Sequence, residues 1–397
     1  MTQLGARFLA GSRSVTFAGV FSLMVFLLLG RGLYAVALGV ISLGVAGQAV
    51  AMRGLCLSGS LKVLLTTGMV LFVQGTLAAS KAYGISPYPI LWCLITVLGI
   101  WSLQQQVSGY SGYLQAISFV LVVFVFANLT YNLLWTHWPR YGKFGLFSNI
   151  HYMSMYAVMT LPIMFYAISK SLSFRVRCVM ALTLMGNMWL LLATRSRPGY
   201  LALLSSALVV IPFIAPHFRW RFLLLMAGIL AFLYFGNVAN FAARVDDFAA
   251  NFSHDERWEI WAGAFHLQKK STALQWLFGH GIGAFYQDFK EIAWSRGIKT
   301  YLSAHNFFME ILYSHGLSGL VLVTVAYGLF FYRLASAAWD DESIISRRTG
   351  MLLLAVATAQ LVHGVSTVPF FSRDYLLPLG FVLGASFVYI ERLKRTV

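Results

Sequence analysis

His305 and a set of arginines are the residues of this sequence best suited to chemistry. Ala304-His305-Asn306-Phe307-Phe308-Met309-Glu310 stands where a polar stretch meets a long apolar run, so His305 falls at a helix N-terminus. The positive end of the helix dipole disfavours an imidazolium there. That leaves a neutral ring able to take a proton from a hydroxyl nucleophile. A capping or hydrogen-bonding role is the plainer alternative for a lone interfacial histidine. Asn306 stands beside it in a supporting position. Glu310, one turn deeper, can orient its neighbours or, as the preferred reading, pair with an arginine.

The second group is Thr194-Arg195-Ser196-Arg197-Pro198-Gly199-Tyr200-Leu201, a turn between two apolar runs. Proline near the start of a helix is favoured, so Arg197-Pro198 opens the next one. Two guanidinium forks beside a helix N-terminus suit phosphate, through both the dipole and unpaired N–H groups. The plain reading is two arginines snorkelling to lipid headgroups. Arg140 and Lys143 form a weaker basic pair, which headgroup contacts explain as well. Arg257, flanked by Asp255, Glu256 and Glu259, either pairs locally or reaches toward the same site. His151, His315 and His363 lie in or at the ends of other apolar runs and read as helix–helix hydrogen bonds. No metal site is expected, because residues 1–245 hold no carboxylate. Cys56, Cys93 and Cys178 lack C-x-x-C spacing and read as small apolar residues.

The elements that position these groups follow from composition. With 59% hydrophobic and 11% charged residues among 397, the chain reads as an all-α integral membrane protein. Soluble globular, disordered, coiled-coil and disulfide-stapled classes are excluded by the same figures. Apolar runs near 15–30, 33–52, 61–82, 86–103, 113–135, 149–169, 174–194, 199–217, 221–236, 304–332, 349–370 and 375–391 predict about 12 transmembrane helices. The first run reads as a retained span, not a cleaved leader. The expected organisation is transmembrane helices 1–9 over 1–236, a loop subdomain over 237–303, and transmembrane helices 10–12 over 304–397. An even number of spans puts both termini on one side. The positive-inside rule makes that side cytoplasmic, since only Arg31, Lys81, Arg140, Lys143, Arg195, Arg197 and Arg373 fall in short loops opposite. The net charge of +16 is concentrated too, because Asp246 is the first acidic residue. Cations before it need lipid phosphates, later acids, water or an anionic ligand.

The long loop, then on the extracytoplasmic side, contains Ser253-His254-Asp255-Glu256, a capping-box pattern that predicts a helix start. Trp258, Trp261 and Phe265 follow on one face. Gly279, Gly281 and Gly283 then predict a turn before a second short helix. As a phosphate loop the G-x-G-x-G is weak, since no strand precedes it. No internal repeat relates the two halves of the chain, which counts against common transporter folds.

These residues resemble a known family. His305-Asn306, nine residues, then Gly316-Leu317-Ser318-Gly319 is similar to the H-[NSQ]-x9-G-x-x-[GTY] motif of bacterial O-antigen ligases. Arg197-Pro198-Gly199-Tyr200-Leu201 looks like their R-x3-L motif. Arg257-Trp258…Trp261 and Phe278-Gly279-His280-Gly281-Ile282-Gly283 are similar to a region shared by ligases and O-antigen polymerases. The resemblance implies a GT-C-like, inverting, metal-independent glycosyltransferase of the bacterial inner membrane, its active site facing the periplasm. It would move O-antigen polysaccharide from undecaprenyl diphosphate to lipid A–core, with membrane lipids around it, no cofactor and no nucleic-acid partner. His305 would deprotonate the acceptor hydroxyl. Arg197 and Arg257 would hold the diphosphate, with Arg195, Arg140 and Lys143 as further candidates. An O-antigen polymerase and a protein O-oligosaccharyltransferase share most of these features. A transporter of lipid-linked glycans is the alternative from another class.

Overall fold

The computed structural model describes residues 3–28, 34–52, 57–78, 87–103, 110–134, 146–147, 149–170, 173–238, 241–251, 256–295, 303–340, 344–367 and 370–396. Their regular structure is helical. In chain order the helices are α1 (Gln3–Leu28), α2 (Tyr34–Ala51), α3 (Gly59–Ala78), α4 (Tyr88–Ser102), α5 (Tyr110–Leu134), α6 (Ile150–Lys170), α7 (Phe174–Ala193) and α8 (Arg197–Val209). A 3-10 turn at Ile211–Phe213 leads to α9 (Pro216–Phe235). Then come α10 (Phe241–Asn251), α11 (Glu256–Lys269), α12 (Ala273–Phe278), α13 (Ala284–Ser295), α14 (Phe307–Asp340), α15 (Ile344–Ser366) and α16 (Arg373–Thr396).

Each apolar run meets a helix, the run near 199–217 crossing α8, the 3-10 turn and the start of α9, and α10 to α13 occupy the long loop. Among the described residues, seven helices (α1, α2, α7, α9, α14, α15 and α16) contain stretches long and apolar enough to cross a membrane. Shorter apolar stretches lie in α3, α4, α5 and α8. The reason α8 stops early is local. Pro212 lacks an N–H for the helical ladder, and the chain turns through Ile211–Phe213 before Pro216 opens α9.

The chain divides into two compact units. The first comprises Met1–Tyr113, Trp261–Asp341 and Pro369–Val397. In it α1 packs on α2, α4 on α2 and α16, and α3 on α4 and α14, while α12 and α13 lie against α14. Buried amides and hydroxyls tie these apolar helices together. Gln48 on α2 donates to Thr16 Oγ1 on α1 at 2.8 Å and to Ser102 Oγ on α4 at 3.2 Å. The second unit comprises Leu114–Ile260 and Glu342–Val368. Here α6 packs on α7 and α8, α15 on α6 and α8, and α10 on α9. Asn187 on α7 donates to the Ala157 carbonyl and Thr160 Oγ1 of α6, at 2.9 and 3.1 Å. Such contacts contribute about 0.6 kcal/mol each inside a bilayer, enough to set register among otherwise greasy surfaces.

Candidate functional site

In the first unit, His305 sits just before α14 with φ +48, a left-handed backbone that side chains other than glycine rarely adopt. Three contacts hold this turn. Asn306 Oδ1 accepts the N–H groups of Phe308 and Met309 at 3.0 and 3.1 Å, capping the helix. Ser303 Oγ accepts the His305 N–H at 3.3 Å. The Trp261 indole N–H donates to the Ala304 carbonyl at 2.9 Å, so α11 fixes the residue preceding the histidine. A strained backbone held by its surroundings is a common property of functional positions.

Glu310 does something other than its preferred reading. Its carboxylate is buried and accepts backbone N–H groups from Phe370, at 2.7 Å, and Phe371. These amides belong to the connector ahead of α16. The carboxyl group is therefore met by peptide donors, and the residue orients the first turn of α14. The edge-to-face pair Phe307–Phe370, centroids 4.7 Å apart, closes the same contact.

The glycine-rich turn also has a structural task. Gly279, Gly281 and Gly283 have φ of +82, +95 and +86. His280 and Gly281 donate their N–H groups to the Tyr313 and Ser314 carbonyls of α14, both at 2.9 Å. These acceptors lie at a break in α14, where Gly316 has φ +66 and ψ −167. Gln74 on α3 donates to the Phe278 and His315 carbonyls at 2.6 and 2.8 Å, satisfying oxygens near the break. The spacing from His305 to Gly316 thus measures three helical turns between a capped histidine and the point where the loop docks. His280 stacks on Tyr313 (4.4 Å, 3°), meets Ser271 Oγ at 2.6 Å and lies 3.8 Å from Asp288. Its burial holds the imidazole below the ordinary value of 6.5, with Asp288 working in the other direction. Beside the turn an open apolar groove of about 890 Å³ runs along Leu65, Met69, Val73, Gln74, Phe278 and Leu322.

The second unit carries the arginines. A tight turn joins α7 to α8, with Arg195 at φ +50. Ser196 Oγ caps α8 by accepting the Gly199 N–H at 3.4 Å. Pro198 has no N–H, and the Tyr200 N–H goes to the Ser196 carbonyl at 3.1 Å. The first turn therefore leaves at most the Arg197 N–H for an anion, fewer donors than a bare helix start provides. Charge from the guanidinium groups and the dipole must do the rest. Tyr200 anchors the turn through its hydroxyl on the Leu192 carbonyl (2.9 Å) and its ring on Phe241 (5.2 Å).

Arg257, on the first turn of α11, lies within electrostatic range of His363 on α15. Asp255, Ser253 of the capping box, Arg140 and Lys143 lie outside the described residues, although α11 does begin at Glu256. The other histidines make the interhelical bonds expected of them. His315 Nε2 meets the Leu71 carbonyl at 3.1 Å, His363 Nε2 meets Ser154 Oγ at 2.7 Å, and His151 Nδ1 meets Ser196 Oγ at 3.3 Å. The aromatic face of α11 points outward at Trp258 and Phe265, while Ile260, Gly263 and Ala264 form the buried face. Sequence reasoning missed Gln74 as a clamp, although an amide inside an apolar run is itself a signal. The part Trp261 plays at Ala304 carried no such mark. Among the described residues no cluster of three or more histidine, cysteine or acidic side chains is placed to hold a metal ion.

His305, Asn306 and Glu310 thus fall in one unit, and Arg195, Arg197 and Arg257 in the other. Residues 179–324, which include all six, match the model of a family described as O-antigen ligase. No curated protein matches the chain.

Proposed function

We propose that this chain, whose residues 179–324 match the model of a family described as O-antigen ligase, transfers O-antigen polysaccharide from undecaprenyl diphosphate to lipid A–core. The observation that carries the reading is that this matched segment holds the strained, capped His305 together with Arg195, Arg197 and Arg257. In the proposed reaction His305 takes the proton of the acceptor hydroxyl. The hydroxyl oxygen attacks the anomeric carbon as the bond to the diphosphate breaks, inverting the centre. Arg197 and Arg257, with Arg195 assisting, neutralise the charge that builds on the leaving diphosphate, which is the work a metal ion does in other transferases. Arg140 and Lys143 are further candidates for the same anion. The aliphatic lining of the groove along α3 suits a hydrocarbon chain of a lipid substrate. About twelve spans in a GT-C-like arrangement, both termini cytoplasmic and the long loop periplasmic, complete the proposal for an inner-membrane enzyme.

The test is reconstitution of the purified protein with lipid-linked O-antigen, with and without lipid A–core. Polysaccharide on lipid A–core supports the ligase. Longer lipid-linked chains with the acceptor untouched would mean a polymerase. Bound lipids with no covalent product would mean a transporter.

A further inference from the structure

In the first unit α12 packs on α14, a helix long and apolar enough to cross a membrane, and the contact falls well along it. A Cβ on Gly316 would run into the Leu277 carbonyl and the Gly279 nitrogen, so the end of α12 and the turn after it lie against the break in α14.

Two helices measure how deep that point lies. α3 runs antiparallel beside α14: Gln74 and Leu71 meet His315 and Gly319, while Leu64 and Thr67 line one small cavity with Val323 and Tyr327. Lys62 and Arg333, toward their far ends, are therefore on one side, the side read as cytoplasmic from its excess of basic residues. Gln74 is twelve residues from Lys62 and Gly316 is seventeen from Arg333, with no charged residue in either interval. These intervals are about 18 and 26 Å of helix. The hydrocarbon core is about 30 Å thick, and any tilt of the helices shortens the climb further. On both helices the contact with α12 falls inside it.

Backbone at that depth must find its partners in protein, because lipid offers none. Thr272 and Gln275 close a capping box, and Gly279 donates its N–H to the Gln275 carbonyl at 2.7 Å. His280 and Gly281 bond to α14, and the Phe278 carbonyl accepts from Gln74 at 2.6 Å. Residues 271–279 carry no charge, yet Leu274, Leu277 and Phe278 leave 71, 45 and 49% of their surface uncovered. This bare surface is continuous with that of the spans. Phe278 lines the groove along α3, and Leu317, next to the break that Leu277 touches, begins an exposed stripe with Val321 and Val325 on α14.

We propose that α12 and the glycine turn dip into the outer half of the membrane, with Leu274, Leu277 and Phe278 against lipid chains and the exposed Lys269 and Lys270 at the headgroup phosphates. The groove along α3 then opens sideways to the bilayer, so the chain of a lipid substrate enters it without crossing water. The inference rests on the chain spanning a membrane with Lys62 and Arg333 on the inner side, and is independent of the reaction performed.

The test uses the wild-type full-length protein in phosphatidylethanolamine nanodiscs doped with phosphatidylcholine that carries a photoactivatable diazirine midway along one acyl chain. Mass spectrometry of peptides after illumination locates the adducts. Residues 274–278 should be labelled at a level comparable with Val321 and Val325. Moving the diazirine to the headgroup should lower labelling of 274–278 and raise it at Lys269 and Lys270. Adducts on Val321 and Val325 with none on 274–278, whether water or a second copy covers that face, would overturn the inference alone. Labelling of 274–278 by the headgroup probe only would overturn it as well, since the segment would then lie above the hydrocarbon. No adduct on α14 from the mid-chain probe would remove the membrane reading and this inference with it.

Discussion

Replacing Gly316 by alanine tests whether the loop turn and α14 form one device. At φ +66 and ψ −167 this residue occupies a backbone region open almost only to glycine. A Cβ would also collide with the Leu277 carbonyl carbon and oxygen and with the Gly279 nitrogen, all backbone atoms that no side-chain rotation can move aside. Backbone strain of about 1–3 kcal/mol and overpacking of a similar size add, and alanine recovers about 0.4–1 kcal/mol through the unfolded chain. The net penalty is about 1–6 kcal/mol. The cheapest relief is to undock the turn, which breaks the His280 and Gly281 N–H bonds to Tyr313 and Ser314. Hydrogen exchange at those two amides is the assay. A cost of about 2 kcal/mol corresponds to roughly 30-fold faster exchange. Gly328 lies on the same helix with nothing within 4 Å of its Cβ position, so Gly328→Ala is the control. Relief of poor helix propensity should leave it as stable as wild type or up to about 1 kcal/mol more so. Protected His280 and Gly281 amides in Gly316→Ala, or equal loss in Gly328→Ala, would refute the reasoning.

Further outcomes follow from the same physics. Arg197→Ala should weaken donor binding more than Arg197→Lys, because a lysine keeps the charge but loses the planar fork; equal losses would argue against a bidentate phosphate contact. Burial holds the His280 imidazole below its ordinary 6.5, so the docked loop takes up a proton less readily than the undocked one. Its contribution to stability is then full above about 6.5 and lost as the pH falls through that value toward the folded one. Thermal melts at pH 7.5 and 5.5 should diverge in the wild type and less so in His280→Gln, and equal sensitivity in both would contradict the assignment. Transfer should survive excess EDTA, and a loss restored by Mg²⁺ would remove the proposal that arginines alone neutralise the leaving group.

Much of the helical layout was legible because it depends on local information. A run of about 20 apolar residues must satisfy its backbone internally, so each run became a helix. Pro198 at the opening of α8, Asn306 at the opening of α14 and glycines at the loop turn each act over a few residues. What escaped was tertiary. Glu310 finds its partners at Phe370 and Phe371, some sixty residues on, and nothing in the surrounding sequence singles out backbone amides over an arginine. The loop helices α10 and α12 are only 11 and 6 residues long, although Thr272 and Gln275 form a capping box that marks the start of α12. The three glycines of the loop could not be told from a phosphate cradle until the break at Gly316 gave them a surface to dock on. The α8 start, read as open to an anion, proved largely occupied by its own cap.

The central claim is that His305 removes the proton that lets an acceptor hydroxyl displace a lipid diphosphate. The most direct measurement counts undecaprenyl diphosphate released per polysaccharide joined to lipid A–core, in wild type and in His305→Gly. Glycine suits the left-handed backbone at φ +48, so this variant should fold at least as well as the parent. The account predicts one diphosphate per glycan for wild type and neither product for the variant. Transfer by His305→Gly at a rate near wild type would contradict it.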